Sequence, residues 1–381
     1  LHTKKGASVS ITFIRNGWRA PRTFSLNPEK IFIQSIPYTF LMKGKIGYVK
    51  LIKFSSTTKK EINTAIEQLM VRGMKYLILD LRGNSGGYLD AAVSVVDCFL
   101  PGGKQILSTT NPVKGYNRNY YSTYKNHVPD IPLVVLINRF SASGAEIVAG
   151  ALQDWDRALI LGETSFGKGL VQSQFEFSDG SALLLSTSEY VTPAGRAIQR
   201  PYKHIAKENY YKHLTNDSLR NEWEIDPARK KFTTKKLGRK VLGGGGITPD
   251  TFLKSGVDTL PESITDILQH PKRLLFTFTE QYIHSTDKHS FDDFNRFLAS
   301  YTPSPELLHT FYTYLKEHGI RVKKKTFLSQ RKQITLYLKI YIAEHVWGKE
   351  ESYKIRLLND DLFRKSLVYL TTAKQLHEQA W

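Results

Sequence analysis

Three apolar runs restrict the fold more than any other feature of the chain: "YLILDL" (76–81), "PLVVLIN" (132–138) and "RALILG" (157–162). Each has the length of a strand, and each is apolar at successive positions, as strands buried on both faces are. The first two run into turns of small residues, "RGNSGG" and "SASG", and then into helical spacing. After the first turn the stripe is Leu89, Ala92, Val93, Val96 and Leu100; after the second comes "AEIVAGALQDW". Upstream, "IGYVKLIKF" (46–54) reads as a strand and "TKKEINTAIEQLMVRG" as a helix. In that helix Thr58 and Glu61 form a capping box, Ile62, Ala65, Ile66 and Leu69 share a face, and Gly73 is the stop. Strands alternating with helices predict an α/β core with largely parallel pairing.

The flanks differ. "GASVSITFIRNGWRAPRTFSL" alternates like a hairpin with "RNG" as its turn. Two strands alone are marginally stable, so the opening reads as the end of a small β-domain whose front lies outside this sequence. Residues 202–240 are polar and basic without periodicity, and read as an insertion or long loop. "GGGGITPD" (243–250) returns to an ordered motif, and beyond about residue 256 the chain is helical. In "SPELLHTFYTYLKEHG", Ser304 caps, Pro305 takes the first turn, Leu308, Phe311, Tyr312 and Leu315 form the stripe, and Gly319 ends it. "ITLYLKIYIAEHVWG" also alternates with period two, and is assigned here to a helix.

Composition removes several function classes. A chain of 381 residues, 41% of them hydrophobic, has room for two or three packed domains. The net charge of +19 raises nucleic acid, an anionic membrane surface or acidic partners as options, and scattered lysines that keep the chain in solution are the favoured reading. Its two basic runs, 229–240 and 321–332, carry no nucleic-acid signature, so no nucleic-acid partner is expected. Cys98 is the only cysteine; it permits no intrachain disulfide and no thiolate metal cluster, and its apolar neighbours predict burial. No apolar run reaches the length of a membrane span.

"GETSFGKG" (162–169) nearly spells a phosphate-binding loop, but Gly169 stands where a magnesium-binding Ser or Thr is needed. The next residues, "LVQSQFEF", have the period of a strand, whereas a phosphate loop opens a helix. Lys168 therefore has another use. A lysine can act as a general base when it is desolvated and neutral, and the flanking Gly167, Gly169, Phe166 and Leu170 suit close packing; a solvated lysine in a glycine turn is the plainer alternative. In "VVLINRFSASGAEIVAG" a buried strand meets a helix at a serine turn, where backbone N–H groups are free. Ser143 and Glu146 also make an S-x-x-E capping box, so Ser143 is either a nucleophile or only a cap. The nearest histidine, His127, lies in a polar loop, and no G-x-S-x-G elbow is present. "LDLRGNSGG" is a glycine turn at a strand end, able to approach a substrate carbonyl and offer an N–H to an oxyanion.

Taken in order, "LDLRGNSGG … NRFSASGAEIVAGALQD … GETSFGKGLVQ … TPAGRAIQ … GITPD" resembles the carboxy-terminal processing proteases, over roughly residues 31–252. The resemblance implies a crotonase/Clp-like α/β catalytic core at 29–256, with the basic insertion at 202–240. Before it comes a partial PDZ remnant at 1–28, and after it a helical C-terminal extension at 257–381. It implies a serine–lysine dyad of Ser143 and Lys168, with Gln172 steadying the amine and the backbone amides of Gly87 and Gly144 as oxyanion hole. It implies no metal and no cofactor. The implied partners are protein or peptide substrates bound through an extended C-terminal segment; peripheral envelope association and a homo-oligomer are compatible with it. It implies export, to a bacterial periplasm or cell envelope. Gly144 departs from the alanine more often found after the nucleophile, and the insertion is longer than in many members. An inactive peptide-binding scaffold and a crotonase-like acyl-transfer enzyme are the alternatives.

Overall fold

A computed structural model of the chain describes residues 7–15, 18–29, 33–113, 115–123, 128, 130–202, 207–212, 216, 229–254, 260–286 and 291–381, with 207–209 as backbone only. It divides into two compact units, Leu1–Gln34 and Ser35–Trp381. The first is a hairpin of β1 (Val9–Phe13) and β2 (Arg22–Leu26), antiparallel, with Val9 opposite Leu26. Asn16 and Gly17 of its expected turn lie outside the described residues.

The second unit opens with β3 (Tyr38–Met42), β4 (Ile46–Lys50), α1 (Thr58–Val71), β5 (Tyr76–Asp80) and α2 (Leu89–Asp97). Then come β6 (Gln105–Thr110), β7 (Arg118–Tyr121), β8 (Leu133–Ile137), α3 (Gly144–Asp154) and β9 (Leu159–Gly162). Next are β10 (Leu170–Glu176), β11 (Ala182–Val191), α4 (Lys207–Lys212), β12 (Lys231–Thr233), β13 (Lys240–Leu242) and β14 (Thr251–Phe252). A six-stranded sheet runs in the order β14-β9-β8-β5-β4-β3, parallel except for the β3/β4 pair.

The apolar runs split between the two faces of this sheet, as period two requires. Leu77, Leu79, Leu133, Val135, Ile137 and Ile160 face a core with Ile62, Ile66 and Leu69 of α1, Val95 and Val96 of α2, and Val148 and Leu152 of α3. Ile78, Val134, Leu136, Leu159 and Leu161 face the other way, against Leu357, Leu362, Phe363, Ala373 and Leu376. Those last residues come from the chain's final helices, which the sequence alone assigns to an extension. They complete the sheet's second layer.

The helical region holds α5 (Glu262–Gln269), α6 (Leu274–Ser285), α7 (Phe294–Ser300), α8 (Pro305–Glu317), α9 (Lys324–Ser329) and α10 (Arg331–Val346). These build a separate core around Phe311, Leu315 and Leu338. α11 (Lys349–Leu358), α12 (Asp361–Ser366) and α13 (Leu370–Ala380) return to the sheet. Ser304 caps α8 as expected, accepting the Leu307 N–H at 3.2 Å, but Tyr314 rather than Tyr312 is buried beside Phe311.

Two expectations are corrected. The capping box at α1 does not form, because Glu61 is drawn to other donors. Its carboxylate accepts the Ser35 and Ile36 amides at 2.7 and 2.9 Å and the Thr57 hydroxyl at 2.6 Å. A second sheet, antiparallel in the order β10-β11-β6-β7, contains three strands that periodicity does not reveal. The 202–240 segment contributes α4, β12 and the first residue of β13; its remaining residues, apart from 202, 216, 229–230 and 234–239, lie outside those described.

Candidate functional site

The two serines of "SAS" have different surroundings. Ser141 is fully buried, and its hydroxyl donates to the Leu81 carbonyl at 2.9 Å and accepts the Asn138 N–H at 2.9 Å. It pins the turn between β8 and α3. Ser143 is half-buried and caps α3 with φ 56° and ψ −115°, a region that L-residues rarely occupy and that clusters at functional sites. Its N–H donates to Glu146 Oε2 at 2.8 Å and its side chain faces the Glu146 N–H, so the expected capping box is in place.

The glycine turn after β5 lies against this serine. Gly86 has φ 104°, and a Cβ there would lie 2.7 Å from Ser143 Cβ and 3.0 Å from the Gly144 nitrogen. Gly87, with φ 145°, is pressed against Phe54, where a Cβ would collide with the carbonyl oxygen. Asn84 joins the two turns: its Oδ1 accepts the Gly86 N–H at 2.8 Å and its carbonyl accepts the Ala142 N–H at 2.9 Å. The N–H groups of Gly87 and Gly144 donate to no acceptor among the described residues. The departure at Gly144 has a local cause: a Cβ would lie 2.8 Å from the Phe54 ring.

Lys168 is half-buried, and its amine donates to Gln172 Oε1 at 3.1 Å. The β10 register shifts between Val171 and Gln172, next to this contact. No hydrogen bond joins the amine to the Ser143 hydroxyl among the described residues; catalytic contacts of this kind often tighten only with substrate bound. The Gly167 and Lys168 amides, which a phosphate loop would keep for an anion, instead donate to Glu146 at 2.6 and 2.9 Å. Burial raises the Glu146 carboxyl above its usual range, opposed by hydrogen bonds from Ser165, Lys168, Gly167 and Ser143. His127 lies outside the described residues.

At the root of the glycine turn, Asp80 is fully buried between Lys50 Nζ at 3.1 Å and Arg82 Nη2 at 2.7 Å. Burial alone would raise its pKa, but the two cations outweigh that and hold it well below the carboxylate range. Arg82 also reaches Asp360, at 2.8 Å, just before α12. A cavity of about 620 Å³ opens beside the site, from Leu89, two residues past Gly87, to Val171, Ser173 and Phe175 of β10 and Leu185 of β11. Among the described residues, Arg118 is the only charged one lining it.

Sequence reasoning missed Asn84, the Asp80–Arg82–Asp360 chain and Tyr190, whose hydroxyl reaches the Lys168 and Ser143 carbonyls. The "LDLRGN" motif held a signal for the first and second, since a polar residue inside a strand-to-turn junction needs partners. Nothing in the sequence marked Tyr190.

Residues 45–206 match the family described as Peptidase family S41, and residues 270–348 match a family of unknown function. A carboxy-terminal-processing protease of Bartonella bacilliformis is 39% identical over 202 residues, covering 51% of this chain and 45% of that protein. A carboxyl-terminal-processing protease of Picosynechococcus sp. is 37% identical over 202 residues, covering 52% and 48% respectively. Among solved structures, a photosystem II D1 C-terminal processing protease is 29% identical, with a TM-score of 0.39 over 56% of this chain and 61% of that one. The chain spans about half the length of the curated relatives it matches.

Proposed function

Because residues 45–206 match peptidase family S41, we propose that the chain is a serine endopeptidase that cleaves protein substrates near their C-termini. The observation that carries the reading is the glycine turn packed on Ser143 through Gly86, together with the Gly87 and Gly144 amides, which donate to no acceptor among the described residues. An oxyanion hole needs such preorganised donors, and removing one costs about 10²–10³ in rate where it has been tested.

In this mechanism Lys168 takes the proton from the Ser143 hydroxyl as its oxygen attacks the scissile carbonyl. The oxyanion sits between the Gly87 and Gly144 amides. As the C–N bond breaks, the proton passes from Lys168 to the leaving amine, and an acyl ester remains on Ser143. Water then attacks the ester, losing a proton to Lys168, and as the ester bond breaks Lys168 returns that proton to the Ser143 oxygen and the new carboxyl end is freed. Gln172 orients the amine. The cavity, with Leu89, Val171, Phe175 and Leu185 on its walls and no carboxylate among its described residues, suits an apolar substrate side chain.

The disengaged Lys168 amine favours one second reading, an inactive member that binds peptides without cutting them. Both are tested by incubating the chain with peptides bearing apolar residues near a free C-terminus and tracking fragments by mass spectrometry. Cleavage that disappears in Ser143→Ala supports the protease. Binding without cleavage supports the scaffold, and cleavage that survives Ser143→Ala sinks the mechanism.

A further inference from the structure

We propose that Glu146 and Tyr190 act together as positioning residues, a two-sided clamp that fixes the backbone of Ser143 relative to that of Lys168. The proposal rests on the serine–lysine reading above and names what holds that pair in register.

The two residues grip opposite polar groups of the same two residues' backbone. Glu146 Oε2 accepts the N–H of Ser143 at 2.8 Å and the N–H of Lys168 at 2.9 Å. The Tyr190 hydroxyl reaches the carbonyl of Lys168 at 2.6 Å and that of Ser143 at 3.1 Å. One phenol proton serves both carbonyls, the shorter contact more strongly. The other carboxylate oxygen, Glu146 Oε1, is taken by the Ser165 hydroxyl at 2.5 Å and the Gly167 N–H at 2.6 Å. Both clamp side chains are buried, at 0% and 2% exposure, in a medium where an unpaired polar group is costly.

Helix capping does not account for this arrangement. A capping box needs only the bond from Ser143 N–H to Glu146 and the reciprocal one from the Glu146 N–H to the Ser143 side chain. The bonds to Gly167 and Lys168 leave the helix and reach a loop beyond another strand. Tyr190, on β11, has no role in a cap at all. Its own N–H donates to the Gly169 carbonyl at 2.9 Å, so the strand is tied to the same loop. Ser165 accepts the Ile247 N–H at 2.7 Å, which anchors the far side. The Lys168 side chain itself lies outside the clamp, its amine bonded to Gln172. The clamp therefore fixes where the amine starts from, and substrate fixes where it ends.

The test uses the full chain with Glu146→Gln, Tyr190→Phe and the double variant. Each is assayed for kcat and KM per active site, counted with a fluorophosphonate that reacts with activated serines, and for thermal stability. Tyr190→Phe keeps the ring's shape and removes only the hydroxyl, so it remains informative if Glu146→Gln fails to fold. The clamp predicts that Tyr190→Phe lowers kcat about tenfold and Glu146→Gln about 10²-fold, with KM within about twofold. The double variant should lose less than the product of the two, because both act on one geometry. A purely structural role would lower the count of reactive sites and leave kcat per site unchanged; that result overturns the proposal. If the wild-type chain neither cleaves peptides nor reacts with the fluorophosphonate, the serine–lysine reading fails separately. Amide hydrogen exchange then decides the clamp: faster exchange at both 143 and 168 in Glu146→Gln supports it, and unchanged exchange overturns it.

Discussion

Ser141 and Ser143 sit two residues apart, yet the physics around them predicts opposite consequences on mutation. Ser141→Ala leaves the Leu81 carbonyl and the Asn138 N–H without their buried partner, which should cost about 1–3 kcal/mol of stability while sparing the chemistry. Ser143→Ala should abolish turnover, and because it also removes the cap of α3 it should cost about 0.5–2 kcal/mol of stability. Peptide cleavage and thermal melts on both variants check this, and active Ser143→Ala protein would shift the nucleophile elsewhere. At Lys168 the useful comparison is Arg, because guanidinium does not deprotonate in proteins. Lys168→Arg should be as inactive as Lys168→Ala, whereas a site needing only positive charge would keep much of its rate. Gln172→Ala, which removes one orienting bond of 3.1 Å, should cost less than either. Ser143 and Lys168 stand out in the sequence through local signals: a serine at a strand-to-helix turn, and a lysine between Gly167 and Gly169. Tyr190 does not, since it reaches the site only after distant segments pack, and Asn84 is in view inside the glycine turn but its tie to Ala142 is not.

Among the elements, β5, β8 and β9 announced themselves because both faces of each are buried, which leaves an unbroken apolar run. β6, β7 and β11 did not. Leu183, Leu184 and Leu185 on β11 are each about half exposed, so inside and outside carry no contrast, and the strand is fixed by long-range pairing such as Glu189 with Thr110. The terminal helices show the same limit at a larger separation. Their amphipathic pattern gave helices, but nothing local said that Leu362 and Phe363 would cover Ile78 and Leu136. Asp360 is the hinge of that arrangement: it caps α12 by accepting the Phe363 N–H at 2.8 Å and pairs with Arg82 at 2.8 Å. Asp360→Asn keeps a good cap and loses the charge, while Asp360→Ala loses both. Asp360→Ala should therefore be the more destabilising, by about 0.5–2 kcal/mol, in urea unfolding. Equal effects would mean that the ion pair, not the cap, carries the residue's contribution.

For the whole molecule, the Asp80 cluster makes a statement about pH. One carboxylate with no exposed surface holds two largely buried cations, Lys50 and Arg82, and Tyr48 donates to it at 2.8 Å. Through Tyr48–Tyr353 at 2.9 Å and Arg82–Asp360, the same cluster ties the central sheet to α11 and α12. The folded pKa of Asp80 lies below its unfolded value, near 3.9 for an aspartate, so the folded state binds the proton less readily. The stabilisation is then fully present above about pH 4 and is lost as pH falls through the folded pKa. Glu146 and Asp250 have the opposite sign, since burial raises both, and they moderate the loss on the acid side. Asp80→Asn strands two buried cations, which should cost about 3–5 kcal/mol at neutral pH. Because the variant cannot titrate there, its deficit relative to the wild type should shrink as pH falls below about 4. Urea unfolding of both proteins from pH 7 to pH 3 checks this. A deficit that stays constant across that range would mean that the carboxylate's charge does not hold the sheet to its terminal helices, and that packing around Tyr48 and Tyr353 does.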